Sequence, residues 1–438
     1  MSAADLFVTH TAQLKTLFAK GSRVRVGLSG GLDSVVLLDL LCRFQVIDYI
    51  ELSAIHINHQ LSPNAASWAR FCAGLCAQKN IPFQTETVEV ARDLGAGIEA
   101  AAREARHKVF EKQNADIIAL AHHADDQAET LLLQLLRGAG MKGAAAMPAM
   151  SNGKPALARP LLDVTRSELE LYAAQRGLTW ITDESNTDTR FDRNYLRLEV
   201  MPQIAKRFPA YRATLGRAAR HFAEAAHLLG ELAAVDAKDA MRDDKLSRNA
   251  FARLSEARAR NLLRFFLAQH GVAMPQAKRL DELVRQLQTC ARDAEVCCEL
   301  GEHEVRAWRG GIYLIDRPPP AAKLVLAWNG ESEIKLPYHT GVVKFNGTIG
   351  QGISSAKLKT RAVTVQTRRG GETLQLASNR PRRTLKNLLQ ESNVPPWQRE
   401  CLPLLFSGDH LVWVPEIGID INFLSVSGEL GFSVVWAR

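Results

Sequence analysis

Residues 24–41 read VRVGLSGGLDSVVLLDLL. An apolar run from Val24 to Leu28 breaks into Ser29, Gly30, Gly31, Leu32, Asp33 and Ser34, and a second apolar run follows at once. The order predicts a strand, a tight turn and a helix. Adjacent glycines let the backbone turn closely and bring its amides toward a bound anion, while the helix start adds exposed N–H groups and partial positive charge. Ser29 and Ser34 add hydroxyl donors for phosphate oxygens. No GxxxxGK string followed by Ser or Thr occurs, which disfavours a Walker-type loop. Asp33 is the oddity, because a carboxylate repels phosphate unless a cation lies between them. That requirement implies Mg2+ bridging Asp33 and the phosphates.

Outward from this loop, short runs of Val, Ile and Leu alternate with longer helical patterns between Val24 and Asp188. Parallel strands joined by crossover helices give this alternation, so the first region is α/β. Strands are expected at Val24 to Leu28, Leu52 to Asn58, Phe83 to Val90, Asp116 to Ala121 and Thr179 to Thr182. Helices are expected at Ser34 to Phe44, Ala65 to Lys79, Ile98 to Gln113, Asp125 to Arg137 and Arg166 to Arg176. Thr165 with Glu168 three residues on forms a capping box for the last of these. An amphipathic helix is expected within Met1 to Lys20, where a signal peptide would need a basic start and a continuous apolar stretch.

From about Tyr211 to Gln288 the strand signals vanish and Ala, Leu, Arg and Glu dominate, which reads as a helical middle domain. A hairpin is expected around Arg309 to Gly311, ahead of the breaker run Pro318 to Pro320. After it, β-prone pieces at Ala362 to Gln366, Leu411 to Val414 and Phe432 to Trp436 flank a helical stretch from Arg383 to Glu391. These features predict a small α+β module and domains at 1–210, 211–320 and 321–438.

Composition sets the outer bounds. The 438 residues are 46% hydrophobic and 23% charged, an ordinary globular balance. Lys and Arg total 55 against 47 Asp and Glu, a net charge of +8 that suits a polyanionic partner. Seven cysteines with no CxxC pair disfavour zinc ribbons and fit a reducing cytoplasm. Nowhere do eighteen apolar residues run together, so no membrane partner is expected.

A second constellation is Ala121 to Gly140, AHHADDQAETLLLQLLRGAG, at the end of the fourth expected strand. Open α/β sheets build their ligand crevices at such strand ends. His122, His123, Asp125, Asp126, Gln127 and Glu129 gather there, with His122 and Asp126 one helical turn apart. Metal ligation, catalysis and helix capping are all open to the two aspartates.

The SGGLDS string at 29–34 resembles the signature of the PP-loop (N-type) ATP pyrophosphatase superfamily, whose members adenylate a carbonyl-type oxygen and release pyrophosphate. Within it, the HHADD stretch with RGAG resembles the tRNA(Ile)-lysidine synthase family. HQLSP at 59–63, REAR at 103–106, RPLL at 159–162 and DESNTDTRFDRNYLR at 183–197 agree in the same order. The likeness is strong over the first two hundred residues.

The resemblance implies an N-terminal PP-loop nucleotide-binding domain and a two-step reaction. ATP adenylates C2 of the wobble cytidine in the CAU anticodon of an isoleucine tRNA, and free L-lysine then displaces AMP. It further implies that Ser29 to Ser34 bind ATP, that Asp33 holds Mg2+ and pyrophosphate, and that Asp126 with His122 does proton or metal work. Arg193 or Arg197 would meet transition-state charge. A homodimer stays open as an assembly state.

Ten Lys or Arg against two acids lie between Lys357 and Arg399, as large a surplus as the whole chain carries. Such a patch neutralises phosphates. KNLLQE at 386–391 and PPWQR at 395–399 resemble the same family and point to RNA binding by Arg368, Arg369, Arg380, Arg382, Arg383, Lys386 and Arg399. Three rivals are weaker, one of them an amidotransferase-like synthetase acting on a small metabolite, which would leave the basic third region without a task. A tRNA 2-thiocytidine synthase would use paired or catalytic cysteines, and a non-catalytic RNA binder would not need the intact loop at Ser29 to Ser34.

Overall fold

The computed structural model describes residues 3–60, 62–89, 98–290, 296–317, 324–337 and 341–437. The chain divides into two compact units, Met1–Leu229 and Gly230–Arg438.

The first unit begins with α1 (Ala3–Leu17) and continues through β1 (Arg23–Gly27), α2 (Leu32–Ile47), β2 (Glu51–Asn58), α3 (Ala65–Gln78) and β3 (Phe83–Thr87). Then come α4 (Ile98–Glu111), β4 (Ile117–Ala119), α5 (Ala124–Leu136), α6 (Met141–Ala144), β5 (Ala156–Ala158) and α7 (Arg166–Gln175). The strands form one sheet in the order β3-β2-β1-β4-β5, with every pairing parallel. Val24 and Val26 of β1 are buried among Val35, Leu38 and Leu41 of α2, so the second apolar run of the opening stretch packs on the strand before it.

Chain order runs to one side of β1 through β2 and β3, then crosses to the other side at β4. The carboxyl ends of β1 and β4 therefore flank a topological switch point, where open α/β sheets form a crevice. Asp33 follows β1 and His123 follows β4, so both chemistry-bearing stretches reach the same crevice.

Four of the five expected strands form within a few residues of their predicted bounds, although Val90 lies outside the described residues. The fifth differs. Thr179 to Thr182 is irregular, and the edge strand is Ala156–Ala158, paired parallel to β4. Composition misleads at both places. Ala-Leu-Ala is a weak strand signal, whereas Thr-Trp-Ile-Thr suits a strand but gives the Ile181 N–H to the Gly30 carbonyl at 2.9 Å. The capping box forms as expected: the Thr165 N–H donates to Glu168 Oε2 at 2.8 Å and the Glu168 N–H to Thr165 Oγ1 at 3.3 Å.

Asp39, nearly fully buried on α2, ties the layer of helices together. Its carboxylate accepts from Lys79 Nζ at 2.7 Å, the Tyr172 hydroxyl at 2.8 Å and Arg176 Nε at 3.3 Å. After α7, a helical run from 192 to 207 comprises α8 (Asp192–Tyr195), a π-helical stretch Leu196–Val200 and α9 (Met201–Arg207). α10 (Tyr211–Ala240) follows and carries the boundary between the units.

In the second unit, β6 (Met241–Arg242) and β7 (Lys245–Ser247) precede α11 (Arg248–Arg253), α12 (Glu256–Gln269) and α13 (Ala277–Thr289). Strands β8 (Val296–Leu300), β9 (His303–Trp308) and β10 (Gly311–Asp316) complete an antiparallel sheet in the order β6-β7-β10-β9-β8. The expected hairpin turn is present, with positive φ at Arg309 and Gly310. The helical reading missed β6 and β7 because each is only two or three residues long. Leu262, Leu263, Phe266 and Leu267 are fully buried against this sheet, as their spacing predicts.

The rest is rich in antiparallel strands: one sheet includes Val363–Gln366, Leu404–Ser407 and His410–Val414, and another pairs Val342–Ile349 with Leu430–Ala437. The longest helix among the described residues of this region, Leu385–Glu391, starts two residues after the expected Arg383, which stands in a short strand. Pro318 to Pro320 lies outside the described residues. No described helix is long and apolar enough to cross a membrane.

Candidate active site

The loop between β1 and α2 is organised by its two serines. Ser34 Oγ accepts from the Gly30 N–H at 3.1 Å and from Ser29 Oγ at 3.1 Å, and donates to the Gly31 carbonyl at 2.9 Å. Gly30 adopts φ of 91°, and a Cβ there would stand 2.8 Å from Ile181 Cδ1 and 3.1 Å from Cys72 Sγ. Only glycine fits both the backbone and the space. Leu32 begins the helix and is buried beneath the loop.

Asp33 sits in the first turn of α2 with one oxygen, Oδ1, buried and without a hydrogen-bond partner. Burial pushes its pKa up, while His123 and Arg166 pull it back. His123 Nε2 stands 3.8 Å from Asp33 Oδ1 and 3.5 Å from Asp126 Oδ2, and Arg166 Nη1 stands 3.8 Å from Asp33 Oδ2. The histidine between the two aspartates is thus His123, almost wholly buried, one residue beyond the predicted His122. An alternating backbone at the N-cap explains the exchange: the extended conformation at His123 sends neighbouring side chains to opposite sides.

His122 lies elsewhere in the same crevice. Burial holds its pKa far below the usual imidazole range, against the pull of Asp126, and its Nδ1 has no hydrogen-bond partner. Arg159 and Arg106 add positive charge around it. Arg159 is itself buried, and burial with the charges of Arg103 and Arg106 brings its pKa down to about 10.

Asp126 and Glu129 project from α5 toward Arg193 and Arg197. Arg193 Nη2 lies 2.8 Å from Asp126 Oδ1 and its Nε 3.1 Å from Glu129 Oε2. Arg197 Nη2 lies 3.0 Å from Asp126 Oδ1 and its Nε 2.7 Å from Glu129 Oε1. Burial alone would raise the pKa of Asp126, but His123, Arg193, His122 and Arg197 outweigh it and hold the carboxyl ionised. Its Oδ2 also accepts the His123 N–H at 3.1 Å, so both oxygens are engaged. Asp125 is committed differently, pairing with Arg212 and accepting the Arg166 N–H at 2.9 Å. Glu129 was one acid among several in the sequence; the signal that could single it out is its spacing of three from Asp126, which puts both on one helix face.

Among the described residues no group of three or more His, Cys, Asp or Glu is arranged to hold a metal alone. Mg2+ commonly takes one or two carboxylates and completes its shell with phosphates and water. The orphaned Asp33 Oδ1 at the loop meets that requirement. Asp126 would join it only by giving up an arginine.

A cavity of about 660 Å³ opens beside the loop. Ile55, Ile57, Phe110 and Leu120 give it apolar walls, and Ser29, Gly31 and Asp33 stand at its edge. Its volume suits a nucleotide-sized ligand.

In the second unit the basic stretch is unevenly available. Arg382 pairs with buried Asp420 at 3.0 Å, Arg383 with Glu391, and Arg368 Nε lies 3.9 Å from Glu372. Arg399 Nε donates to the Val394 carbonyl at 2.7 Å. Arg369, Arg380 and Lys386 are exposed and form no ion pair among the described residues. Trp397 packs edge-on to Trp308 at 5.9 Å and against Tyr313 at 5.2 Å, a packing role.

Comparison with known proteins agrees with this architecture. Residues 6–204 match a family model described as the PP-loop domain, residues 246–313 the TilS substrate binding domain, and residues 363–436 the TilS substrate C-terminal domain. The tRNA(Ile)-lysidine synthase of Nitrosomonas europaea is 43% identical, covering 100% of this chain and 96% of its own length. That of Aromatoleum aromaticum is 42% identical over 96% of this chain and 98% of its own, and that of Coxiella burnetii 38% identical over 96% and 94%. With a nucleotide loop at the switch point, a paired acid and base set facing it and full-length relatives at this identity, the chain belongs to the tRNA(Ile)-lysidine synthase family, ATP-dependent ligases that make lysidine in tRNA.

Proposed function

We propose that the crevice between β1 and β4 carries out both steps of lysidine formation on the wobble cytidine of an isoleucine tRNA with a CAU anticodon. The observation that carries this reading is the buried, unpartnered Asp33 Oδ1 beside the amides of the Ser29–Ser34 loop. A carboxylate so placed beside a phosphate cradle needs a cation, and Asp33 would hold Mg2+ there with the phosphates of ATP. When bound, Mg2+ would neutralise charge on the departing pyrophosphate.

In the first step the C2 oxygen of the base attacks the α-phosphorus of ATP, the bond to the β-phosphate breaks and pyrophosphate leaves. Gly30 and Gly31 amides with Ser29 and Ser34 hydroxyls orient the phosphates. The apolar cavity beside the loop takes the nucleoside end. Adenylation converts a poor leaving oxygen into a good one.

In the second step the amine of lysine attacks C2, the C2–O bond breaks and AMP leaves. The amine must lose a proton, and neutral His122 is the acceptor the site offers. Its pKa is depressed by burial in the free site, and the negative charge of bound phosphates acts to raise it. Arg193 and Arg197, held in place by Asp126 and Glu129, meet the charge that develops on the phosphate oxygens.

A trapping experiment tests the order. Enzyme, tRNA and ATP labelled at the α-phosphate, without lysine, should yield AMP-labelled tRNA that a lysine chase converts to lysidine and free AMP. Lysine-dependent label release with no labelled tRNA at any time would overturn the two-step reading.

A further inference from the structure

The arginines beside Asp33 and Asp126 are held very differently. Arg193 and Arg197 make four ion pairs with Asp126 and Glu129, two guanidinium groups against two carboxylates, so their charge is balanced where it stands. Arg166 is 44% exposed and bound loosely. Its Nη1 lies 3.8 Å from Asp33 Oδ2, beyond hydrogen-bond reach, and its Nε meets Glu170 Oε1 at 3.1 Å, an exposed pair one helical turn on. Exposed pairs of that kind contribute little.

The backbone at Arg166 is fixed, in contrast. Its N–H donates to Asp125 Oδ2 at 2.9 Å, Thr165 before it caps α7, and the Ala124 N–H donates to the Val164 carbonyl at 2.8 Å. A long side chain with a fixed root and a loosely held head can change partners at little cost.

Charge decides which partner it takes. Asp33 is the carboxylate that a nucleotide-bound cation would claim, and its Oδ2 is the atom facing Arg166. Once that carboxylate serves a cation, Arg166 loses its counter-charge while phosphate arrives beside it. Position points the same way. The cavity beside the loop draws Ile55, Ile57 and Trp68 from β2 and α3, on one side of β1, with Asp33 at its edge. Arg166 is tied to Asp125 at the start of the helix after β4, on the other side of β1. A nucleotide with its base in the cavity therefore runs its phosphates past Asp33 toward Arg166, and the terminal pair comes last.

We propose that Arg166 clamps the pyrophosphate end of ATP: it rests on Asp33 in the free site and passes to the β- and γ-phosphates when nucleotide binds. Its planar fork suits two phosphate oxygens at once. The contact persists on pyrophosphate after the bond to the α-phosphate breaks. Arg166 thus serves the phosphates that leave, while Arg193 and Arg197 serve the one that stays. This inference rests on the reading that the Asp33 crevice binds ATP.

Isothermal titration of the full chain with pyrophosphate and with AMP, both in the presence of Mg2+, tests the clamp. Arg166→Ala should weaken pyrophosphate binding about tenfold or more and leave AMP binding unchanged, since AMP lacks the β- and γ-phosphates. Arg166→Lys, which keeps the charge and loses the fork, should recover part of the affinity. If Arg166→Ala fails to fold, Arg166→Gln, which keeps most of the side chain and lacks the charge, should show the same split between the two ligands. Pyrophosphate affinity at the natural value in folded Arg166→Ala overturns the clamp. So does an equal loss for pyrophosphate and AMP, which would make Arg166 a support of the loop. Gly30→Ala separates the two readings: unchanged binding of both ligands there would sink the crevice, whereas a loss there with none in Arg166→Ala sinks the clamp alone.

Discussion

His123 Nε2 lies 3.8 Å from Asp33 Oδ1, joining the first turns of two helices that follow adjacent strands, β1 and β4. Asp33 would be repelled by phosphate on its own, and the contact places an imidazole against its oxygen, with Asp126 Oδ2 3.5 Å from the same ring nitrogen. The nucleotide loop and the acid-rich helix are thereby one site.

Gly30→Ala should damage the loop twice over. The residue holds φ of 91°, and the added carbon would press on Ile181 Cδ1 at 2.8 Å. A left-handed alanine costs about 1–2 kcal/mol before the clash is counted. Thermal unfolding should shift down by that order, and KM for ATP should rise by more than about tenfold, as the loop amides lose their aim.

Glu129→Gln tests the anchoring of the arginines. The carboxylate is almost fully buried and takes hydrogen bonds from both Arg193 and Arg197. Removing its charge leaves Asp126 alone to balance two guanidinium groups, a loss of about 3 kcal/mol for a broken buried pair. Urea unfolding should register it. The turnover number should fall while KM for ATP stays near its natural value, because the cavity beside the loop is untouched.

Asp39 gives a pH signature away from the site. Burial would raise its pKa, but hydrogen bonds from Lys79 and Tyr172 outweigh that and leave it lowered in the folded chain. A lowered folded pKa means that the stabilisation is complete above the unfolded value of about 4 and fades as pH falls through the folded one. Asp39→Asn should therefore be less stable than the natural chain by about 2 kcal/mol at neutral pH, with the gap closing in acid. Urea titrations at the two pH values read the difference, and a gap that grew in acid would contradict it.

The basic stretch divides into two kinds of residue. Arg369, Arg380 and Lys386 are exposed and carry no ion pair among the described residues, so replacing all three by Ala should weaken tRNA binding and lower its salt slope by roughly one per residue. Arg382 instead pairs with buried Asp420. Arg382→Ala should lower stability first, because it leaves that carboxylate buried with less compensation.

The contrast between these residues shows where reading the chain alone runs short. The strand, turn and helix of 24–41 were legible because local chemistry dictates them: glycine at a positive φ and an apolar run on each side. The Thr165 capping box was legible for the same reason. Whether Arg382 or Arg369 meets solvent depends on Asp420, far away in the chain, and no spacing rule carries that information. His123 and His122 differ by one residue and by the side of the backbone they leave. Thr179 to Thr182 departs from its local propensity where the Gly30 carbonyl takes the Ile181 amide, and Ala156–Ala158 departs from its own by pairing with β4, a partner far away in the chain.

In the proposed reaction Asp33 serves the attack on ATP by a base of the tRNA. Pyrophosphate release with the CAU isoleucine tRNA and no lysine, compared between the natural chain and Asp33→Asn at matched tRNA binding, tests it most directly. The natural chain should give a stoichiometric burst and the variant none. A burst of equal size from Asp33→Asn, or pyrophosphate released without any tRNA, would contradict it.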